Sequence, residues 1–173
     1  MRLVVFVIAL LSPACVWAQT PYAGLQSRQI KALSDQQIAD LRAGRGMGLA
    51  LAAELNGYPG PSHVLELADQ LELSPEQRAK VQEMFAAMKS ETTPIGARLI
   101  DQESDLDRQF ARRTVSPDSL KSATAAIART QGALREAHLK YHLLTSVVLD
   151  KAQLAKYAEL RGYASDLPAQ HHH

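Results

Sequence analysis

Side chains suited to a packed interface recur in alternating steps of four and three through two long stretches of this chain, and that rhythm leaves few folds open. Val81, Phe85, Met88, Thr92, Ile95, Leu99, Gln102, Leu106 and Phe110 form the first series. Leu120, Thr124, Ile127, Gln131, Leu134, His138, Tyr141, Thr145 and Val148 form the second. Such spacing draws a stripe along one side of an α-helix, the seam of a helix packed lengthwise on a partner. Between the series, Arg112-Arg113-Thr114-Val115-Ser116-Pro117 reads as a turn, with Ser116 as N-cap and Pro117 as the first helical residue. The pattern predicts an all-α chain built on a long antiparallel helical hairpin. Its helices cover residues 75–112 and 117–147, with Pro94 at a kink position in the first.

Shorter helices flank this pair. Ser34 caps a helix over residues 35–41 that ends at Gly44, and residues 47–56 form an alanine-rich apolar segment stopped by Gly57. Tyr58-Pro59-Gly60-Pro61 is a rigid turn, after which residues 63–71 resume helical spacing through Val64, Leu67 and Leu71. A last helix starts after Asp150 and stops at Gly162. No strand pattern is present. Residues 34–163 therefore read as a single helical domain, between a flexible N-terminal arm at 19–33 and a disordered tail at 164–173.

Residues 1–18 read as a secretory signal peptide and stand outside the fold. Arg2 supplies the positive start, residues 3–11 an apolar run short for a bilayer, and Val16-Trp17-Ala18 a small-residue cleavage site. Export of the chain is the expectation. Cleavage after Ala18 removes Cys15 and Trp17, the sole cysteine and tryptophan of the sequence. The mature domain then relies on core burial or oligomerisation rather than disulfides. A cysteine nucleophile and a thiolate metal site are both excluded. Loss of Arg2 balances basic and acidic residues at 18 each, so no basic surface suggests nucleic acid as a partner.

The chemistry-bearing feature is a histidine pair. His138 and His142 stand four apart in the second long helix, and positions i and i+4 share a helix face, so both imidazoles can reach one metal ion. If the long helices turn near residues 114–115, His142 lies level with about residue 87. If the chain also folds back near residues 73–74, His63 lies level with about residue 84, roughly 4 to 5 Å away along the axis. His63 then joins the pair, with Glu66 at i+3 and Met84 and Met88 at the same level. If the chain instead runs straight on, His63 lies far from them.

Each of these residues also has a plainer role. His138, on the apolar seam beside Leu134 and Tyr141, suits a buried neutral imidazole. Glu54 and Glu66 would ordinarily face water, and Met47, Met84 and Met88 would fill gaps in the core. Asp101, Glu103, Asp105 and Asp107, with Arg98 and Arg108 nearby, form a solvated helix face. Gly44-Arg45-Gly46-Met47-Gly48 superficially resembles a phosphate loop, yet it follows no strand and precedes no lysine-serine or lysine-threonine pair. Gly46, Gly48, Ala50, Ala52 and Ala53 instead permit close approach of another helix. With no serine elbow, zincin motif or carboxylate pair recognisable, enzymatic activity is not expected. His171, His172 and His173 are left out of the site.

Two capping segments carry a family resemblance. Leu73-Ser74-Pro75-Glu76-Gln77 and Leu149-Asp150-Lys151-Ala152-Gln153 are both capping boxes at helix starts. Flanking a long hairpin in an exported chain, they resemble the paired Leu-Thr-x-x-Gln motifs of Spy/CpxP-type periplasmic proteins, a group that includes periplasmic heavy-metal sensor and resistance proteins. The resemblance covers residues 62–162, with Ser74 and Asp150 standing in place of threonine. It implies one of two activities. As in the metal sensors, the chain would bind a divalent transition metal (Zn, Cu, Ni or Co) for sensing or buffering. His63, His138 and His142 would be ligands, supplemented by Glu66 and Met88. In those sensors a His-x-x-x-Met pair contributes ligands; His138 and His142 match it with histidine in the second place. The sensors' upstream histidine pair is absent here, and His63 with Glu66 is the nearest substitute. The alternative is an ATP-independent Spy-like chaperone holding unfolded clients on an apolar concave surface. Either reading implies a homodimer, with unfolded clients or an inner-membrane signalling protein as further partners.

Overall fold

The computed structural model describes residues 22–163. The signal peptide and the C-terminal tail inferred above lie outside the described residues. A 3₁₀ turn, Leu25–Ser27, precedes six helices: α1 Asp35–Arg42, α2 Leu51–Glu54, α3 Pro61–Glu66, α4 Pro75–Ala111, α5 Pro117–Val148 and α6 Lys151–Leu160. The two long helices pack along one another. Glu91 of α4 meets Lys140 of α5, and Gln77 meets the Val148 carbonyl, so residue numbers fall along one helix as they rise along the other. α4 continues through Pro94.

Local chemistry explains most boundaries. Ser34, Ser74, Ser116 and Asp150 each accept a hydrogen bond from the backbone N–H three residues on, and each forms a complete capping box. A capping box satisfies two of the amides that a helix start leaves without partners. Two helices are shorter than the sequence suggests. The segment 47–56 keeps only the four residues of α2, because Met47 (φ 45°) and Gly48 (φ 80°) adopt left-handed backbone that no α-helix contains. The segment 63–71 becomes α3 followed by turns, and Glu72, at φ 51°, reverses the chain before Ser74 starts α4.

The apolar seam is buried in two clusters. The first joins Ile30, Leu33, Ile38 and Leu41 to Leu99, Ile100, Ile127 and Leu134. The N-terminal arm is thus anchored at its end, since Ile30 and Leu33 are core residues. The second gathers Val64, Ala68, Leu71, Leu73, Val81, Leu149 and Tyr157 where α3, α4 and α6 meet. Between them lies a polar layer containing Thr92, His138, His142 and Thr145, all buried. Phe110 and Leu120, predicted seam positions beyond the first cluster, are exposed.

The two capping motifs meet. The Gln77 and Gln153 side-chain amides pair reciprocally at 2.8 and 2.9 Å, and each also donates to a backbone carbonyl, Gln77 to Val148 and Gln153 to Leu71. Leu73 and Leu149, which open the motifs, are buried in the same cluster.

Candidate functional site

A cavity of about 560 Å³ opens at the level of the polar layer. Its walls include the loop Gly44 to Gly48, Glu54, His63, Glu66, Phe85, Met88, Lys89 and His142. The reversal at Glu72 therefore brings α3 back beside α4, and His63 faces the same space as Phe85 and Met88. His63, Glu66, Met88 and His142 are brought around one cavity. His138 is not among its lining residues.

His142 is held from three sides. Its Nδ1 lies 2.7 Å from the Tyr58 carbonyl oxygen, which can only accept, so that nitrogen carries the hydrogen and Nε2 of the neutral ring keeps its lone pair. The same Nδ1 is 3.6 Å from a Glu54 oxygen. Gly60 closes the third side: a Cβ there would fall 2.8 Å from the ring's Cε1 and Nε2, so only glycine allows this approach. His63 repeats the arrangement. Its Nδ1 is 3.2 Å from Glu66 Oε2, so the carboxylate fixes the hydrogen on Nδ1 and leaves Nε2 free. Glu66 thus orients an imidazole, a role different from the direct ligation expected of it.

His138 takes the plainer of its two expected roles, a buried imidazole rather than a ligand at the cavity. One turn before His142, the α5 face sits deeper, and the imidazole is only 2% exposed, its Nε2 finding no hydrogen-bond partner among the described residues. Its Nδ1 edge abuts Gly46, where a Cβ would come within 3.6 Å. The small residues of the 44–48 loop therefore admit a side chain of α5 at Gly46. Burial, and after it the neighbouring His142, hold the His138 imidazole below the usual histidine value, so it is neutral at neutral pH. The i,i+4 spacing put both rings on one face, as expected, but helix packing gave them different surroundings.

Glu54 had no assigned role in the sequence and is the best-connected carboxylate here. At 6% exposed, it accepts from the Tyr157 hydroxyl and, at 3.2 Å, from the Gly60 N–H. Tyr163 Oη at 3.4 Å and Arg161 Nε at 3.8 Å complete its surroundings. The expectation that it faces water fails because α6 folds over α2 and supplies partners in place of solvent. Met47 also differs from its expected place in the core: it is 41% exposed, on the loop that lines the cavity. Met84 is half-buried. Among the described residues, no three histidine, aspartate or glutamate side chains stand close enough to share one ion. Any metal held here needs other donors as well.

Comparison with protein-family profiles, with curated proteins and with solved structures returned no match.

Proposed function

We propose that this chain is an exported, periplasmic helical protein of the Spy/CpxP type, its long helices forming that group's hairpin, which binds a transition-metal ion to sense or buffer it. One observation carries the metal reading. His63 and His142 line one cavity, and each commits Nδ1 to an oxygen acceptor, leaving two lone-pair Nε2 atoms. An outer acceptor that fixes the tautomer is the usual companion of a metal-ligating imidazole. Met88 lines the same space and adds a thioether donor. The role is binding rather than catalysis, and His138 contributes packing.

The test is a titration of wild type and a His63→Ala/His142→Ala variant with zinc, copper, nickel and cobalt, with His171, His172 and His173 replaced in both. A loss of affinity in the variant, with His138→Ala unaffected, is the expected result. Equal affinity in wild type and the His63/His142 variant rejects the reading.

A chaperone reading has its own support in α5. Leu139, Leu143 and Val147 follow at steps of four along one outer face; Leu143 is exposed and Val147 is 84% exposed. Such a stripe suits a homodimer contact or an unfolded client. Val147→Glu/Leu143→Glu would then abolish suppression of a client's aggregation while leaving metal affinity unchanged.

A further inference from the structure

Two methionines share the cavity with His63 and His142, and one of them sits where methionine is disfavoured. Met47 adopts φ 45° between Gly46 and Gly48, in the region that favours glycine. It is also well exposed, so core packing does not account for a large apolar side chain there. Met88 reaches the same cavity from α4 and is buried.

The carboxylates on the cavity wall are already engaged. Glu66 holds Nδ1 of His63, and Glu54 accepts from Tyr157 and the Gly60 N–H. Three cationic side chains, Arg45, Lys89 and Arg161, also line the space. Arg45 pairs with Asp40 at 2.8 Å and Arg161 lies 3.8 Å from Glu54, whereas Lys89 rests 5.8 Å from the centre of the Phe85 ring. Arg45 and Arg161 are thus offset by carboxylates, and Glu54 and Glu66 have their oxygens committed to other partners, so the donors left to an ion are the uncharged sulfur and imidazole nitrogen atoms. Neutral thioethers and imidazoles together suit soft Cu(I) rather than ions that demand oxygen donors.

Resting on the metal reading above, we propose that the ion selected by this cavity is monovalent copper, bound by Nε2 of His63 and His142 and by Sδ of Met47 and Met88. Glu66 and the Tyr58 carbonyl then serve as the outer acceptors that orient the two rings.

The experiment uses the full chain with Cys15→Ala and with His171, His172 and His173 replaced by alanine, so that methionine is the remaining source of sulfur. Cuprous ion is supplied anaerobically with ascorbate and contested by bicinchoninate. Copper(I) should bind more tightly than zinc, nickel or cobalt, and Met47→Leu/Met88→Leu should weaken it by about tenfold or more, the scale on which losing a supporting group acts. X-ray absorption of the copper-loaded chain should show sulfur in the first coordination sphere, a measurement that needs no variant to fold. Absence of sulfur scattering, or unchanged copper affinity in a folded double variant, overturns the assignment of Cu(I) to this donor set. If zinc, nickel or cobalt binds in a His63- and His142-dependent way and copper(I) does not, the soft-ion inference falls while the metal reading stands. If no ion depends on those histidines, both fall.

Discussion

The Tyr157 hydroxyl donates to the Glu54 carboxylate across 103 residues of chain, tying α6 to the short helix α2 beside the cavity. Both residues are buried, so removing the donor leaves a carboxylate oxygen short of a partner away from water. Tyr157→Phe should therefore cost about 1–3 kcal/mol in urea unfolding, and Tyr163→Phe, whose contact is 3.4 Å, should cost less. Burial, and then the Glu54 carboxylate, hold the Tyr157 phenol protonated far above its ordinary value of 10.0. Its stabilisation is thus fully present below about pH 10 and is lost as pH rises beyond it. The variant should lack that alkaline component. Equal stability of Tyr157→Phe and wild type would remove Glu54 as a structural hub.

The reciprocal Gln77–Gln153 amide pair joins the starts of α4 and α6. Each glutamine also completes its own capping box, so a single alanine substitution removes a local and a long-range contact together. A double-mutant cycle separates them: Gln77→Ala and Gln153→Ala should be non-additive by about 0.5–3 kcal/mol. Strict additivity would mean that the two motifs act only as independent caps.

The same two motifs mark the limit of what the sequence discloses. Helix starts at Ser74 and Asp150 were legible as capping boxes, and those at Ser34 and Ser116 as N-cap residues, because both signals are written within a few consecutive residues. The long helices were legible because their periodicity repeats over many turns. Pairing between Gln77 and Gln153, or between Glu54 and Tyr157, leaves no local trace, since each partner lies more than seventy residues away. The shortened α2 and α3 depend on Met47 and Glu72 taking left-handed backbone, which neither residue type announces. The position of His63 stayed open in the sequence, because it turned on whether the chain folds back before Ser74. The choice between a buried and a ligating His138 stayed open too, because i,i+4 spacing fixes a shared face but not its depth.

Gly96 permits a close approach between α1 and α4. A Cβ at this position would lie 2.4 Å from the Leu41 carbonyl oxygen, and both are backbone-fixed. Gly96→Ala should force the helices apart at a cost of about 1–3 kcal/mol despite alanine's better helix propensity. Gly132, within α5, is the control, because a Cβ there meets nothing within 4 Å. Gly132→Ala should stabilise by up to about 1 kcal/mol in the same denaturation assay. A stabilising Gly96→Ala would contradict the packing of α1 on α4.

His138 supplies an acid-sensitive element separate from ion binding. Its folded-state value is depressed below 6.5, so its neutral form is favoured in the fold and its contribution is fully present above about pH 6.5. As pH falls below that point, the unfolded chain takes up the proton first and stability declines. Leucine cannot titrate, and it removes the buried Nε2 that lacks a partner among the described residues. His138→Leu should therefore be at least as stable as wild type at pH 7.5, because an unpaired buried polar atom costs about 1–3 kcal/mol. Its advantage should widen between pH 6.5 and 5 in thermal melts, while cuprous-ion affinity stays unchanged. Parallel declines of the two proteins with falling pH would show that His138 is not the titrating group, and a loss of affinity in the variant would restore it to the metal site.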